Sequence, residues 1–236
     1  MVMTSLISHV ELSIDKAENL ESNITPEVLE IDGFSGKKTR HFYNHLCSMD
    51  DVMYMEIGNR KEDSLCSALS NNRIHMFIIS NWDDEFVFED DSNFFINVKK
   101  YQLEKPISSF VMRKHPEWWN IDENFLNYTN YANPGSKVLE KYNIFTCGSD
   151  HTDSVKHKDG LVNCLISLAT EFVYIVNNWN ETEFREDIIN AIKDNNSLEI
   201  LYQKDIFTTG DIETNDWYNG MGIFVLKQVI PTDDDF

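Results

Sequence analysis

The sequence is poor in positive charge: twenty Lys and Arg stand against forty Asp and Glu, leaving a formal charge of −20 and a pI near 4.6. Such a field repels phosphate backbones and anionic lipid, which excludes nucleic acid as a direct substrate and a membrane surface as a partner. Cysteine is scarce. Cys47, Cys66, Cys147 and Cys164 lie far apart without a CxxC pair, in otherwise apolar segments, so they read as reduced buried thiols, neither a disulfide frame nor a zinc site. No apolar run approaches the roughly 18 residues of a membrane span. The N-terminus, MVMTSLISHVELSIDKAENL, carries acidic residues too early for a secretory leader. A cytoplasmic location is therefore expected.

What is present is a core. Hydrophobic residues make up 42% of the 236, including fifteen Phe and five Trp, so the chain has enough apolar surface to bury a large interior.

From Val52 onward the apolar runs are short, β-rich and separated by helical or polar stretches, the rhythm of a mostly parallel sheet covered on both faces. VMYMEIG predicts a first strand, with a helix from about Glu62 to Ser70, and IHMFIIS a second, with a helix across SNFFINVKKYQ. ISSFVMRK is a weaker third strand. HPEWWNIDENFLNYTNYANPGSK, rich in Asn, Pro and aromatics, reads as an irregular insertion. KYNIFTCG is a fourth strand, DSVKHKDGLVNCLISLAT a helix, FVYIVNNW a fifth strand, and TEFREDIINAIKDNN an amphipathic helix with Thr182 as its expected N-cap. LEILYQKDIFTT and GMGIFVLKQVI have no room between them for a crossover helix and should pair antiparallel. Residues 1–49 read as a helical N-terminal extension or lid on a domain spanning 50–236. The expected class is thus α/β: a Rossmann-like, doubly wound, mostly parallel seven-stranded sheet with an antiparallel last strand.

IDGFSGKKTRHFYNHLC, YMEIG, ISNW, GSDHT, IVNNWN and WYNGMGIFVLK follow one another in an order that resembles the class I S-adenosylmethionine (SAM)-dependent methyltransferases. More narrowly, it resembles small bacterial and viral members with a DGDH-type motif after the fourth strand and a DDW-type motif after the fifth. The resemblance runs from Glu30 nearly to the end of the chain. It implies a cofactor site made by Glu56, Gly58, Ser64, Ser80, Asn81 and Trp82, with Trp82 placed to cover an adenine ring, and a catalytic pair in which His151, beside Asp150, takes a proton from a substrate hydroxyl.

The chain departs from that pattern at four positions with distinct physical tasks. Glu62 replaces the second glycine of the loop after the first strand, adding a side chain and a negative charge beside the cofactor's carboxylate. Ser80 replaces the acid that holds the ribose hydroxyls, exchanging a charge-assisted contact of about 1.5–3 kcal/mol for one of about 1 kcal/mol. Gly148 stands in GSDH for the first Asp of DGDH, and Asn177 and Asn178 stand for the acids of DDW, so a hard divalent cation loses charged oxygen ligands and no bound metal is expected.

Other candidates have plainer readings. Lys37, Lys38, Arg40 and His41 form a basic cluster that reads as a solvated helix start or as an anion site at the cofactor mouth. His157 reads as a surface residue, and Trp217 to Gly220 as a turn whose aromatic packs on the sheet or walls a substrate pocket.

Three functions follow as expectations. The first is a degenerate methyltransferase that binds SAM weakly and serves as a binding or assembly protein for a partner protein. The second is a working metal-independent O-methyltransferase acting on a small hydroxylated molecule or glycan. The third is an acidic decoy for a basic partner.

Overall fold

In the computed structural model the described residues are 5–33, 35–57, 63–80, 109–113, 141–147, 154–208 and 216–229. Six α-helices and seven strands are found among them, in the order α1 (Leu6–Glu18), α2 (Pro26–Leu29), α3 (Lys37–Leu46), β1 (Met53–Ile57), α4 (Asp63–Leu69), β2 (His75–Ser80), β3 (Ser109–Arg113), β4 (Tyr142–Cys147), α5 (Ser154–Cys164), β5 (Leu168–Asn177), α6 (Thr182–Lys193), β6 (Leu198–Ile206) and β7 (Met221–Gln228). A single 3-10 turn, Leu165–Ser167, links α5 to β5.

The strands form one mixed sheet in the order β3-β2-β1-β4-β5-β7-β6. Pairing is parallel from β3 through β5, and β7 runs antiparallel to both β5 and β6. β6 and β7 follow one another in sequence and lie side by side, the arrangement of antiparallel hairpin partners. Each central strand is apolar on both faces because helices cover both. In β5, Val173 and Ile175 face a core shared with α1, α3 and α4, where Val10, Phe42, Leu46 and Leu65 are fully buried. Its alternate residues Phe172, Tyr174 and Val176 face a second core with Phe184, Ile188 and Ile192 of α6. The N-terminal helices thus seal one face of the sheet.

Three expectations are corrected. Thr182 is the first residue of α6, not its cap: Glu181 holds the cap position, with no capping bond from its side chain. The bend occurs earlier, where Asn178 takes a left-handed φ of 60° and the backbone of Trp179 and Asn180 is tied to Gly220 and Asn219. The fifth strand begins at Leu168, four residues before the FVYIVNNW run, because Leu168 pairs with Tyr142 of β4 across an irregularity in register, while β7 pairs back as far as Glu171. His157 is 1% exposed and its ring meets Phe184 edge-on at 4.9 Å, so it is a core residue. The helix expected over SNFFINVKKYQ and the HPEWWN insertion lie outside the described residues.

Candidate functional site

Parallel strands of this kind direct their carboxyl ends to one edge, where ligands bind in open α/β sheets. Here that edge is formed by Ile57, Ser80, Cys147 and Asn177, the last residues of β1, β2, β4 and β5.

Glu56 is 3% exposed, one residue short of the end of β1. Its Oε2 accepts a hydrogen bond from the Tyr54 hydroxyl at 2.8 Å and its Oε1 one from the Ser64 hydroxyl at 3.0 Å. Tyr54 and Glu56 share a face of β1 through the two-residue period of a strand, and Ser64 is brought up by the first turn of α4. Burial, followed by the Glu56 charge, raises the Tyr54 phenol well above its ordinary range. It therefore stays protonated, a donor to Glu56 and not a base.

Beside it, the Tyr43 hydroxyl lies 3.2 Å from Thr146 Oγ1, with the side chain of Asn177 nearby. Burial raises this phenol too, with Glu56 adding to the effect. Asn177, the last residue of β5, thus sits beside a buried tyrosine of α3. Asn178 Oδ1 accepts from Asn219 Nδ2 at 3.4 Å.

The start of α4 carries a second buried acid. Asp63 is 3% exposed, and its Oδ2 accepts the Ser35 backbone N–H at 2.6 Å with an Arg40 Nη2 at 3.6 Å. The carboxylate lies over Gly33 so closely that a Cβ there would stand 2.1 Å from Asp63 Cγ. Arg40 also donates through Nε to Ser35 O at 2.9 Å, and through Nη1 to Val28 O at 2.9 Å and Leu29 O at 3.1 Å. This splits the basic cluster. Arg40 and His41 are buried, Lys38 pairs with Glu18 at 2.6 Å, and of the four only Lys37 is exposed.

The first turn of α4 carries Asp63, and the Ser64 hydroxyl and Ser35 N–H are committed to acids of the chain itself. Among the described residues no group of three His, Cys, Asp or Glu could hold a metal ion.

The structure therefore brings together Glu56 and Ser64. Ser80 ends β2 as expected, with its side chain outside the description, and Gly58, Glu62, Asn81, Trp82, Gly148, Asp150 and His151 lie outside the described residues. Trp217 is 5% exposed and donates through Nε1 to Glu18 at 2.9 Å, so it packs as a turn aromatic. Sequence reasoning missed Tyr43, Tyr54, Thr146 and Asp63. Only Tyr54, two residues before Glu56 on one strand, carried a local signal.

Neither a protein-family model nor a curated protein matches the sequence. Solved structures do match the fold. An O-methyltransferase from Bacillus cereus in complex with SAH superposes with a TM-score of 0.55 at 12% identity, over 96% of this chain and 93% of its own. An O-methyltransferase of Streptomyces achromogenes involved in tomaymycin synthesis, in complex with SAM, gives 0.54 at 9%, over 96% and 92%. A precorrin-6y C5,15-methyltransferase from Geobacter metallireducens gives 0.50 at 13%, over 87% and 99%. Over nearly its whole length, the chain has the fold of the SAM-dependent methyltransferases.

Proposed function

We propose that this protein is a methyltransferase-fold chain that no longer transfers methyl groups and acts as a binding or assembly protein. The observation that carries the reading is Asp63: a buried carboxylate of the chain itself takes the Ser35 N–H and faces Arg40 at the helix start where a cofactor's carboxylate would be received. Two negative groups in one such niche repel, and the internal one is covalently fixed there. The substitutions at Glu62, Ser80, Gly148 and Asn177 act in the same direction, each removing a separate contact to cofactor or metal. The partner would be a protein.

A working metal-independent O-methyltransferase is the second reading, favoured by the whole-length likeness to O-methyltransferases. In it His151, oriented by Asp150, removes a proton from the substrate hydroxyl, and the catalysis lies in positioning and proton removal. Calorimetric titration with SAM separates the two. No binding at millimolar SAM is expected, whereas a dissociation constant below about 100 μM would overturn the first reading in favour of the second.

A further inference from the structure

At the opposite end of α3 from Arg40, a cleft of about 330 Å³ opens between α1, the chain that follows it and the C-terminal turn of α3. It lies at the end of α3 from which the chain leads to β1. Every side chain lining it is polar, and those that shape its chemistry are Lys16, Glu21, Asn23, Asn44, His45 and Ser48.

Asn44 is fully buried, yet its Oδ1 has no hydrogen-bond partner. Its orientation is fixed, because Nδ2 donates to Ser67 O at 2.9 Å and to Ser70 O at 2.6 Å. A flipped amide would set oxygen against two carbonyls. The backbone oxygen of Asn44 is already taken, accepting from Asn72 Nδ2 at 2.6 Å. A buried acceptor left unmet is costly and marks a place where a donor is missing.

His45 supplies a second acceptor. Ser13 Oγ donates to His9 O at 2.7 Å, so the hydrogen between Ser13 Oγ and His45 Nδ1, 2.9 Å apart, belongs to the imidazole. Nε2 of the neutral ring is then a lone pair. On the rim, Lys16 and Glu21 bind each other and keep further donor and acceptor capacity. An anion would meet the lone pairs of Asn44, His45 and Glu21, and a cation would meet Lys16. A neutral ligand whose hydroxyls both donate and accept meets neither penalty, and the size and polarity of the cleft suit a small, hydrophilic one.

We infer that this cleft binds a small neutral polyol, a monosaccharide or cyclitol, and opens at its floor to let one hydroxyl donate to the orphaned Oδ1 of Asn44, which is closed to solvent in this structure. The site is independent of the proposed loss of methyl transfer, and its test involves no SAM.

The test follows the Asn44 side-chain amide by NMR in the ¹⁵N-labelled full chain while myo-inositol, D-glucose or ethylammonium chloride is added. A saturable shift with inositol or glucose, at a dissociation constant below about 10 mM, is expected. Asn23→Trp, which fills the cleft from an exposed position, should weaken it at least about tenfold. If that variant does not fold, Glu21→Gln at the exposed rim should weaken binding in the same sense. Absence of a saturable shift, tighter binding of ethylammonium, indifference to these variants, or a crystal grown in inositol with only a water on Asn44 Oδ1 would each overturn the inference.

Discussion

The indole of Trp179 lies flat against the backbone of Gly222. A Cβ on that glycine would stand 2.6 Å from both Cδ2 and Cε2 of the ring. The tryptophan is fully buried, donates through Nε1 to Asp205 at 2.8 Å and meets Phe224 edge-on at 5.5 Å, so it has no room to retreat. Gly222→Ala should destabilise the chain by about 1–3 kcal/mol, read as a lowered urea midpoint with an unchanged slope.

Arg40 ties three carbonyls and Asp63 into one buried knot. Removing it strands a buried carboxylate together with those carbonyls, so Arg40→Met should cost about 3–5 kcal/mol of unfolding free energy. Arg40→Lys should recover less than half of that loss, because an ammonium lacks the planar fork that reaches Val28, Leu29 and Ser35 together. Equal stability of the lysine variant and the parent would show the fork to be unnecessary.

His9, His41 and His45 are each held below the ordinary imidazole value by burial, with His9 and Lys16 adding to the effect at His45. His9 and His45 are moreover stacked, with ring centroids 5.3 Å apart. The unfolded chain takes up these protons near pH 6.5 and the folded chain resists them, so their contribution is complete above about pH 6.5 and is lost as pH falls below it. Thermal unfolding should show a midpoint that drops between about pH 7 and pH 5.5, and a His9→Gln variant should flatten that profile.

The thiols of Cys47 and Cys164 are both raised by burial, Cys164 to about 12, with Glu56 adding to the effect at Cys47. Cys66 is buried as well. Because the thiolate is the reactive form, none of the three should be alkylated by iodoacetamide in the native chain near pH 8, and all should react in urea. Mass mapping of labelled peptides checks this.

If the cofactor contacts have been lost by substitution, putting them back should recover affinity. A chain carrying both Glu62→Gly and Ser80→Asp should bind SAM at least about tenfold more tightly than the parent by calorimetry. No gain would place the obstacle at Asp63.

The sheet was readable because its strands state their environment locally. The runs that became β1, β4, β5 and β7 are apolar on both faces, and the missing crossover before GMGIFVLK already required an antiparallel partner. Glu56 and Ser64 were named together only through the resemblance, as cofactor contacts, and their hydrogen bond to each other was not foreseen. Contacts across long stretches of sequence were not legible. Arg40 looks like one of four solvated cations until α2 and Asp63 are folded around it. His157 looks like a surface residue between two lysines until Phe184 packs on it. Asn177 reads as a lost metal ligand, and its place beside Tyr43 of α3 has no trace in the local sequence.

The hydrogen bond from Trp217 to Glu18 joins residues 199 positions apart, and β7, made after β6, is inserted between β5 and β6. On a ribosome, the apolar faces of α1 and α3 therefore emerge long before the strand that completes their seat. The nascent chain must hold them unburied until β7 has been made, the interval in which holdase chaperones act and in which release before Met221 would yield insoluble product.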